Sequence, residues 1–544
     1  MSLIKEYFDY YYKYSKKYNK IALLMQIGSF YESYGVDNIN NKIGNTADIA
    51  NLLNIQLTRK SKKIVENNEE NPLMMGFPCI ALDKYIPVLL DKNYTVVIIE
   101  QTTPPPNPKR EVTKILSPGI NIDSKDDSNN IISLFIEFSN NIYSFGLSGI
   151  DFSIGKCKVY ESHCKHVDLD YMFDETSKFI KSLNPKELVI NTYNFNSTNI
   201  NQEYLKKILE LDNIVTHVYI DEINNIYFNN SFQNDFYKNI FEPGLLSCIE
   251  YLDLERKGHA SISYIKLLEF AYEHNENIIK DIKKPIVIEN ENNLLLVNNT
   301  IQQLNLYDKQ GIPSVFSIIN ETSTTMGKRI LKERLLNPIV DNVELNRRYK
   351  LIKKMKKHYK TYETPLNCIL DLERLHRKIQ LNVLIPTDIF NIKNAYDNVL
   401  EIDDISSKIP ELKLDKQLKK EIHDLISDLD NTFNYDILLT RTNLNMFNKS
   451  FIHKNINNIL DQIEENIEKI NFRLEEISIE LSNSIEKGKD NLVKLDKNDK
   501  DGLFLVTTSI RGRSLQIKYK DYNYKTNKNN TRITSSEIDK LSDK

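Results

Sequence analysis

Short apolar runs, separated by turn residues, dominate the first part of this chain. Ile21–Ile27 and Tyr94–Ile99 are such runs, and the second reads YTVVII. Runs of this length that are rich in β-branched residues predict buried strands. The apolar spacing at Ala47–Leu53 and Ala81–Leu90 predicts two helices beside them. We therefore expect a small α+β domain over residues 1–117.

The pattern changes after a polar segment, which we interpret as a linker over residues 118–130. Three strand candidates follow in succession, and a helix over Tyr171–Leu183 then ends at Asn184-Pro185 before the strand 187–192, ELVINT. The three strand candidates are IISLFIEF, NIYSFGLSGIDFS and CKVYE. Three strands followed by alternating helix and strand predict an α/β sheet of the ribonuclease H kind over residues 131–245.

From residue 246 the spacing of apolar residues is helical nearly throughout, so we expect a helical domain over residues 246–446. One predicted helix, Thr322–Leu336, begins with Thr/Ser capping residues and ends before Pro338. The clearest signal is an unbroken heptad stripe from Ile456 to Leu481, which predicts a helix on the order of 50 Å long. A bundle helix and an intermolecular coiled coil both remain open.

The end of the chain, within a predicted last domain at 447–544, is basic and β-rich. GLFLVTT (502–508) and SLQIKYK (514–520) predict a hairpin. Residues 502–533 contain seven Lys and Arg residues against one acid, Asp521, which favours phosphate contacts. The predicted fold is thus a multidomain chain that combines α/β domains with an all-α part and a β-rich tip on a coiled-coil-like helix.

Composition limits the function classes. The chain has 544 residues, 40% of them hydrophobic, and a formal charge of −3, so any nucleic-acid contact must use local basic surfaces. No apolar run reaches the roughly 18 residues that a membrane-spanning helix needs, and the N-terminus does not resemble a secretory signal. We expect a soluble intracellular protein without a membrane partner, in a compartment that the sequence does not specify; a viral or organellar location stays open.

Metal and catalytic motifs are sparse in the printed sequence. The five cysteines lack a C-x2-C pair, so the cluster Cys157, His163, Cys164 and His166 does not predict a zinc site. We find no G-x-x-x-x-G-K-[ST] segment and expect no catalytic residue, metal or cofactor in this chain. A metal-dependent nuclease using Asp151, with Glu187 as a second carboxylate, is the weaker enzymatic alternative.

A series of segments carries a family resemblance. It begins with MQIGSFYESYG (25–35), continues with IANLLNIQLTRK (49–60) and MMGFPCIALDKYI (74–86), and then with VVIIEQ and REVTKILSPG. Later segments in the same order are LNPKELVI (183–190), LLLVNNTIQQLNL (294–306), INETSTTMGKRILKERLLNPIVD (319–341) and LDLERLHRKI (370–379). Together they resemble the N-terminal two-thirds of the MutS family of DNA mismatch repair proteins.

The resemblance implies a mismatch-recognition domain, a connector, a helical core with a lever, and a clamp. It also implies that Phe30 wedges into the minor groove and stacks on a mispaired base, and that Glu32 hydrogen-bonds to that base. A wedge of this kind finds a mismatch by its deformability, because unstacking is easiest where the base pair is weak. The implied partner is double-stranded DNA with a mismatch or a small insertion loop.

We predict contacts to the DNA backbone by two basic sets. The first lies near the wedge and comprises Arg59, Lys60, Lys62, Lys63, Lys109 and Arg110. The second lies in the clamp and comprises Arg511, Arg513, Lys518 and Lys520. Two positions depart from the family pattern: Arg334 stands where many members have tryptophan, and Ser29 replaces the usual acidic residue before the wedge.

Full-length members of the family use ATP and Mg²⁺ in a C-terminal domain, act as dimers and recruit downstream repair factors. We expect this chain to be a fragment or split gene product, or its ATPase function to lie on another polypeptide. The alternative from another class is a DNA clamp or scaffold that kept the architecture but does not read mismatches. The paired Phe30 and Glu32 favour mismatch reading.

Overall fold

The computed structural model describes residues 3–543 except 40, 62–63, 65, 104–107, 123–127, 166–167, 199, 213, 289–292, 295, 297–299, 308–311, 440–449 and 499–501. The chain forms two compact units. One comprises Met1–Leu384 and Asn391–Asp415, and the other comprises Ile385–Phe390 and Lys416–Lys544. No helix among the described residues combines the length and apolar character needed to cross a lipid bilayer.

The first domain is built on a seven-stranded sheet of order β4-β5-β2-β1-β6-β7, with β3 paired to β2. Its strands are β1 (Ile21–Ile27), β2 (Phe30–Asp37), β3 (Lys42–Ile43), β4 (Thr58–Arg59), β5 (Leu73–Pro78), β6 (Thr95–Gln101) and β7 (Arg110–Leu116). Its helices are α1 (Leu3–Ser15), α2 (Thr46–Leu53) and α3 (Leu82–Leu90). The two predicted strands and two predicted helices are confirmed, whereas α1 was not predicted.

Two apolar layers enclose this sheet. Helices α2 and α3 pack on one face, where Leu24 and Phe77 are buried. Helix α1 packs on the other face, where Tyr7 meets the ring of Tyr34 edge-on. Because side chains alternate between the faces of a strand, β2 sends Tyr31 to the first layer and Tyr34 to the second.

The second sheet has the order β12-β11-β8-β9-β10-β13. Its strands are β8 (Asn130–Ser139), β9 (Ile142–Asp151), β10 (Lys156–Lys165), β11 (Glu187–Tyr193), β12 (Val215–Tyr219) and β13 (Ile286–Val287). The helices of this region are α4 (Leu169–Leu183), α5 (Gln202–Ile208), α6 (Asn230–Lys238), α7 (Cys248–Tyr251) and α8 (Gly258–His274). Strands β8 to β10 form an antiparallel meander, and α4 and β11 follow it, so the predicted three strands, helix and strand are confirmed. Strand β12 was not predicted; β11 pairs in parallel with both β8 and β12.

Helix α8 lies directly on the meander. Ser263 donates to the main-chain oxygen of Ser133 at 2.8 Å and lies 2.9 Å from the Ser148 hydroxyl. The predicted domain boundary at residue 245 divides this packing, because α8 and β13 both follow it. The predicted polar linker also begins inside the fold, since Ser117 to Ile120 are buried.

The following stretch is helical. Its helices are α9 (Thr300–Gln303), α10 (Val315–Ile319), α11 (Thr325–Leu336), α12 (Asn342–Met355), α13 (Tyr359–Asn367), α14 (Leu372–Gln380) and α15 (Pro386–Ile405). Thr324 caps α11 by accepting from the N–H of Gly327, as the Thr/Ser cluster predicts. Arg329 of α11 forms a bidentate ion pair with Asp371 at 2.6 and 2.8 Å, which joins α11 to the start of α14.

A buried arginine anchors α14. Arg377 is 1% exposed, and its guanidinium donates to the main-chain oxygens of Phe152, Ile278 and Lys280. Burial lowers the pKa of Arg377 to about 10, so the group remains charged at neutral pH. The charge is therefore held by carbonyl dipoles, which supply the acceptors that water would otherwise provide.

The second unit contains a four-stranded antiparallel sheet of order β14-β15-β17-β16. Its strands are β14 (Lys494–Asn498), β15 (Gly502–Thr508), β16 (Asn523–Thr526) and β17 (Asn530–Thr534). Its helices are α16 (Lys416–Thr432), α17 (Tyr435–Leu438), α18 (Asn458–Ile485), α19 (Ser509–Lys518) and α20 (Ser536–Asp543). The predicted heptad helix is α18, whose 28 residues span about 42 Å.

The predicted hairpin of 502–508 with 514–520 is wrong in its second strand, because residues 509–518 form α19. Leu515, Ile517 and Tyr519 alternate as in a strand, but Ile517 is 78% exposed. The buried positions are instead Gly512 and Leu515, which have helical spacing. A Cβ at Gly512 would meet the Thr531 side chain at 2.3 Å, so the glycine lets α19 lie against β17.

Candidate nucleic-acid interface

A tight turn joins β1 to β2 and places Phe30 at the edge of the first domain. Gly28 has a φ of 62°, in the left-handed region that favours glycine. Ile27 pairs with Phe30 across the turn, and the N–H of Cys79 donates to the main-chain oxygen of Ser29 at 2.9 Å. The turn is thus fixed by the pairing of β1 with β2 and by the residue that follows β5.

Phe30 is exposed although its neighbours along β2 are buried. The side chain is 45% exposed, whereas Tyr31 is 3% and Tyr34 is 0% exposed. Phe30 begins the strand and pairs with Pro78 of β5 on its second side. The ring therefore projects beyond the apolar layer that encloses the rest of β2, where an aromatic side chain contributes little to the core.

Glu32 lies on the same face of β2, two residues beyond Phe30. The Tyr34 hydroxyl donates a hydrogen bond to its Oε2, and Lys60 Nζ lies 3.8 Å from the same oxygen. Lys60 also donates to the Tyr34 hydroxyl at 2.9 Å. Gly76 on β5 leaves room for Glu32, since a Cβ there would come within 3.2 Å of the Glu32 Cγ. Tyr34, Lys60 and the space at Gly76 therefore fix the orientation of the Glu32 carboxylate.

Burial and the hydrogen bond to Glu32 raise the pKa of Tyr34 well above its ordinary value. The phenol consequently stays protonated and keeps donating to Glu32 over the whole physiological pH range. Among the described residues, the Tyr34 hydrogen bond and the Lys60 ion pair both involve Oε2 of Glu32, and neither engages Oε1. Tyr34 was not predicted, although its position two residues after Glu32 on a period-two strand was a usable signal.

Polar side chains of β1, β6 and β7 hydrogen-bond to the turn and to one another. Arg110 donates from Nε to the main-chain oxygen of Gln26 at 3.2 Å and pairs with Glu6 at 3.4 Å. With its amide oxygen facing the turn, Gln101 accepts from Arg110 Nη2 and from the Gly28 N–H, each at 3.2 Å. The Gln26 side chain accepts from the Gln101 N–H at 3.0 Å. This set, the turn-support network, was not predicted from the sequence.

The predicted basic residues near Phe30 occupy three kinds of place. Arg59 and Lys109 are exposed, and Lys109 pairs with Glu111 at 2.5 Å. Lys60 faces Glu32, and Arg110 is only 11% exposed within the turn-support network. Lys62 and Lys63 lie outside the described residues. The structure thus leaves Arg59 exposed and gives Lys60, Lys109 and Arg110 partners within the domain.

The predicted basic residues of the second unit lie on and just after α19. Arg513, Lys518 and Lys520 are exposed and Arg511 is half-buried. Lys518 donates to the main-chain oxygen of Ser484, so part of its charge is engaged within the unit. Lys525 on β16 and Lys528, between β16 and β17, are also exposed. This arrangement forms a basic surface on the second unit.

The carboxylates considered for nuclease chemistry have structural partners. Asp151 is 3% exposed and accepts from the N–H groups of Asn129 and Ser153. Glu187 is fully buried and accepts from Ser117 at 2.5 Å and from the Gly119 N–H at 3.0 Å. Neither belongs to a potential metal-binding group in the described part of the chain. The geometry therefore does not support a two-metal nuclease.

Comparison with known proteins places this architecture in a class. Two family models match the chain, MutS domain I over residues 6–125 and MutS domain III over residues 293–497. The first match contains the Phe30 turn, and the second contains α11, α14 and α18. Both models describe MutS domains, and together they match more than half of the chain, so the chain belongs to the MutS family.

Relatives agree over most of the chain. A putative DNA mismatch repair protein mutS homolog of Acanthamoeba polyphaga mimivirus is 28% identical over 94% of this chain and 49% of its own length. The DNA mismatch repair protein MutS of Caldanaerobacter subterraneus is 28% identical over 78% of this chain and 46% of its own length. A mitochondrial mutS homolog of Sarcophyton glaucum is 26% identical over 78% of this chain and 48% of its own length. The chain spans about half the length of these relatives.

Proposed function

We propose that this chain binds duplex DNA distorted by a mismatch or a small insertion loop, with Phe30 as the inserted wedge. The observation that carries the proposal is the exposed ring of Phe30 at the tip of a braced turn. An apolar side chain on a turn that is already ordered can enter a base step directly. Less binding free energy is then lost in fixing the turn.

Wedge insertion selects weak base pairs. Unstacking a step costs a few kcal/mol, and the cost is least where pairing is already disrupted. A matched duplex resists the same kink, so the protein discriminates by deformability and needs no base code. This mode suits Phe30, which has an apolar ring and no hydrogen-bonding atom.

We assign Glu32 the role of base contact. An ionised carboxylate only accepts hydrogen bonds, and a mispaired base offers N–H groups that a matched partner would occupy. Tyr34 and Lys60 engage Oε2, so we assign the base contact to Oε1. The Lys60 charge also reduces the repulsion between Glu32 and nearby phosphates.

Phosphate contacts would hold the duplex in register. In the first domain we assign them to Arg59 and Lys109, and in the second unit to Arg511, Arg513, Lys518 and Lys520. Contacts of this kind position the duplex without reading sequence, and they make affinity depend on salt.

The remaining parts of the proposal rest on the family. We assign the second sheet to a ribonuclease H-like connector, the helical stretch to a core with lever, and the end of the chain to a clamp. We also infer that ATP and Mg²⁺, a partner subunit and downstream repair factors act with the complete protein. The printed sequence has no G-x-x-x-x-G-K-[ST] segment, so its residues do not fit an ATP site of that kind.

The test is equilibrium binding to a duplex with one G·T mismatch or unpaired T, against the matched duplex, at fixed salt. Wild type, Phe30→Ala and the control Phe472→Ala are compared. Phe472 is 65% exposed on α18 of the second unit, so it matches the chemical change at an exposed site outside the Phe30 turn. We expect mismatch preference in wild type and Phe472→Ala, and its loss in Phe30→Ala. Equal preference in all three proteins would refute the wedge.

A nonspecific clamp is the second candidate, and the basic surface of the second unit favours it. It predicts equal binding of both duplexes, with log affinity falling steeply against log salt. Each phosphate contact contributes a slope of roughly −0.9 on duplex DNA, so Arg513→Ala would reduce the slope by about one. Equal binding by wild type and Phe30→Ala, with that slope change, would establish the clamp in place of the mismatch reader.

A further inference from the structure

We propose that Glu161, His163 and His259 form a binding site for one divalent transition-metal ion of the Zn²⁺ type. One ligand atom from each residue lies within 4.8 Å of the others, and this is the group with such geometry in the described part of the chain. The site lies in the second sheet, away from the Phe30 turn, and it does not depend on DNA binding.

The backbone brings these residues together in a specific way. Glu161 and His163 are two residues apart on β10 and so share one face, while His259 stands in the first turn of α8. Gly146 pairs with Glu161 across the sheet. A Cβ at Gly146 would meet the His259 main-chain oxygen at 2.0 Å, so the missing side chain lets the start of α8 reach the strand.

Neighbouring groups orient the donors. The Ser144 hydroxyl lies 2.9 Å from His163 Nδ1, which leaves Nε2 directed at Glu161 Oε1, 3.1 Å away. The other carboxylate oxygen of Glu161 accepts from the Ala260 N–H at 2.8 Å. Because the Ser144 hydroxyl can donate or accept, either a hydrogen or a metal ion can lie between Nε2 and Oε1.

His259 has a similar support. Its Nε2 lies 2.6 Å from Glu137 Oε2, and a carboxylate beside an imidazole fixes the ring and makes it a better ligand. The two histidine rings are 5.2 Å apart between centroids and nearly perpendicular, so they do not stack face to face.

Burial alone would raise the pKa of Glu161, but the contacts with His163 and the Ala260 N–H outweigh it and lower the pKa.

The donor set determines the class of ion. Two imidazoles and one carboxylate suit Zn²⁺, Co²⁺ or Ni²⁺, whereas Mg²⁺ and Ca²⁺ require mainly oxygen ligands. The Glu161 side chain is 4% exposed and the His163 side chain is 49% exposed. The Glu161 carboxylate is therefore the buried ligand of the site, and His163 is the solvent-exposed one, beside which water can complete the coordination.

An ion bound here would join β10 to the start of α8. Without an ion, His163 and Glu161 are linked by a single contact, which a metal replaces with two coordinate bonds. Binding to the folded state but not to the unfolded chain stabilises the fold in proportion to the logarithm of metal concentration. The site is thus expected to raise the thermal stability of the second sheet.

The experiment titrates the chelator-treated full chain with Co²⁺ by visible absorption and with Zn²⁺ by calorimetry. We expect one equivalent of either ion, a rise in Tm of roughly 3–10 °C at saturating Zn²⁺, and no displacement by Mg²⁺. His163→Gln, chosen because this ring is half exposed, and Glu161→Gln should each lower affinity at least about tenfold. Controls are His423→Gln, at an exposed histidine of α16, and Cys368→Ser, at an exposed thiol.

Each outcome is decisive. Loss of affinity in His163→Gln with both controls at wild-type affinity supports the site. Wild-type affinity in His163→Gln, or loss in Cys368→Ser, would mean adventitious binding elsewhere and would overturn it. Absence of any stoichiometric Co²⁺ spectrum in the wild-type chain would overturn it as well. Since no DNA is present, these results are independent of the mismatch-binding proposal.

Discussion

Arg110 reaches across the end of the first sheet and donates from Nε to the main-chain oxygen of Gln26, 3.2 Å away. Gln26 is the second residue before Gly28, where the chain turns toward Phe30. Arg110, which the sequence predicts to contact DNA phosphates, therefore stabilises the turn from within the domain. Its charge is balanced by Glu6.

Arg110→Ala should weaken mismatch preference without abolishing DNA binding. Hydrogen bonds from a charged donor contribute about 1.5–3 kcal/mol, so loss of the brace should reduce the mismatch-to-matched affinity ratio by about tenfold. Arg110→Lys should recover the charge balance with Glu6 but not the ratio. Lys109→Ala is the matched control, because Lys109 is exposed and should affect both duplexes equally. A uniform loss in Arg110→Ala would show a phosphate contact instead.

Glu32→Gln should shrink mismatch preference by raising affinity for matched DNA. Removing a negative charge near phosphates is worth about 1 kcal/mol at 4 Å in water, so matched-duplex affinity should rise roughly fivefold. Glu69→Gln is the control, since that carboxylate also accepts from a tyrosine hydroxyl, Tyr12, at 3.0 Å. Fluorescence anisotropy with both duplexes measures the change. Unaltered matched-duplex affinity in Glu32→Gln would argue against a position at the DNA.

Gly146→Ala should destabilise the second sheet by about 2–3 kcal/mol, because the new Cβ meets main-chain atoms of α8 that cannot rotate away. Gly258→Ala is the matched control at the first residue of the same helix. No atom lies within 4 Å of its added Cβ, and alanine favours a helix, so its stability should stay equal or rise. Thermal melts of both variants test the pair. Equal stability would show that α8 can move off the strand.

Arg377→Met should lower stability by about 3 kcal/mol, since it leaves several buried main-chain oxygens without donors. Arg377→Lys should recover only part of that loss, because an ammonium group cannot reach the same carbonyls as a planar fork. Limited proteolysis read by mass spectrometry localises the effect to the region around 278–281 and α14. Cleavage there no faster than in wild type would contradict the anchoring role.

The sequence predicts much of this fold where burial is one-sided or complete. Ile21–Ile27 is β1, and the alternation from residue 131 yields the meander and the following helix and strand. It fails at 514–520, because Leu515, Ile517 and Tyr519 fit a strand period while burial follows a helical one. Short apolar patterns support both periods, and contact with Thr531 of β17 decides between them.

The candidate site is less predictable from residues alone. Most phenylalanines are buried, so the exposure of Phe30 followed only from the family resemblance. The turn-support network joins Gln26 of β1, Gln101 of β6 and Arg110 of β7, and it forms because β6 lies between β1 and β7 in the sheet. Lys60 and Arg110 are predicted to contact the DNA backbone, but the sequence does not reveal that carboxylates and a carbonyl within the domain engage them.

Helix α18 is anchored unevenly along its length. Ile459 and Ile467 near its start are about half exposed or more, whereas Leu474 and Ile477 are buried against the four-stranded sheet. The amide hydrogens of its first turns therefore exchange with solvent through small local openings, while those around Ile477 require loss of the sheet packing. The free energy of local unfolding therefore rises along α18, from its first turns to the region around Ile477.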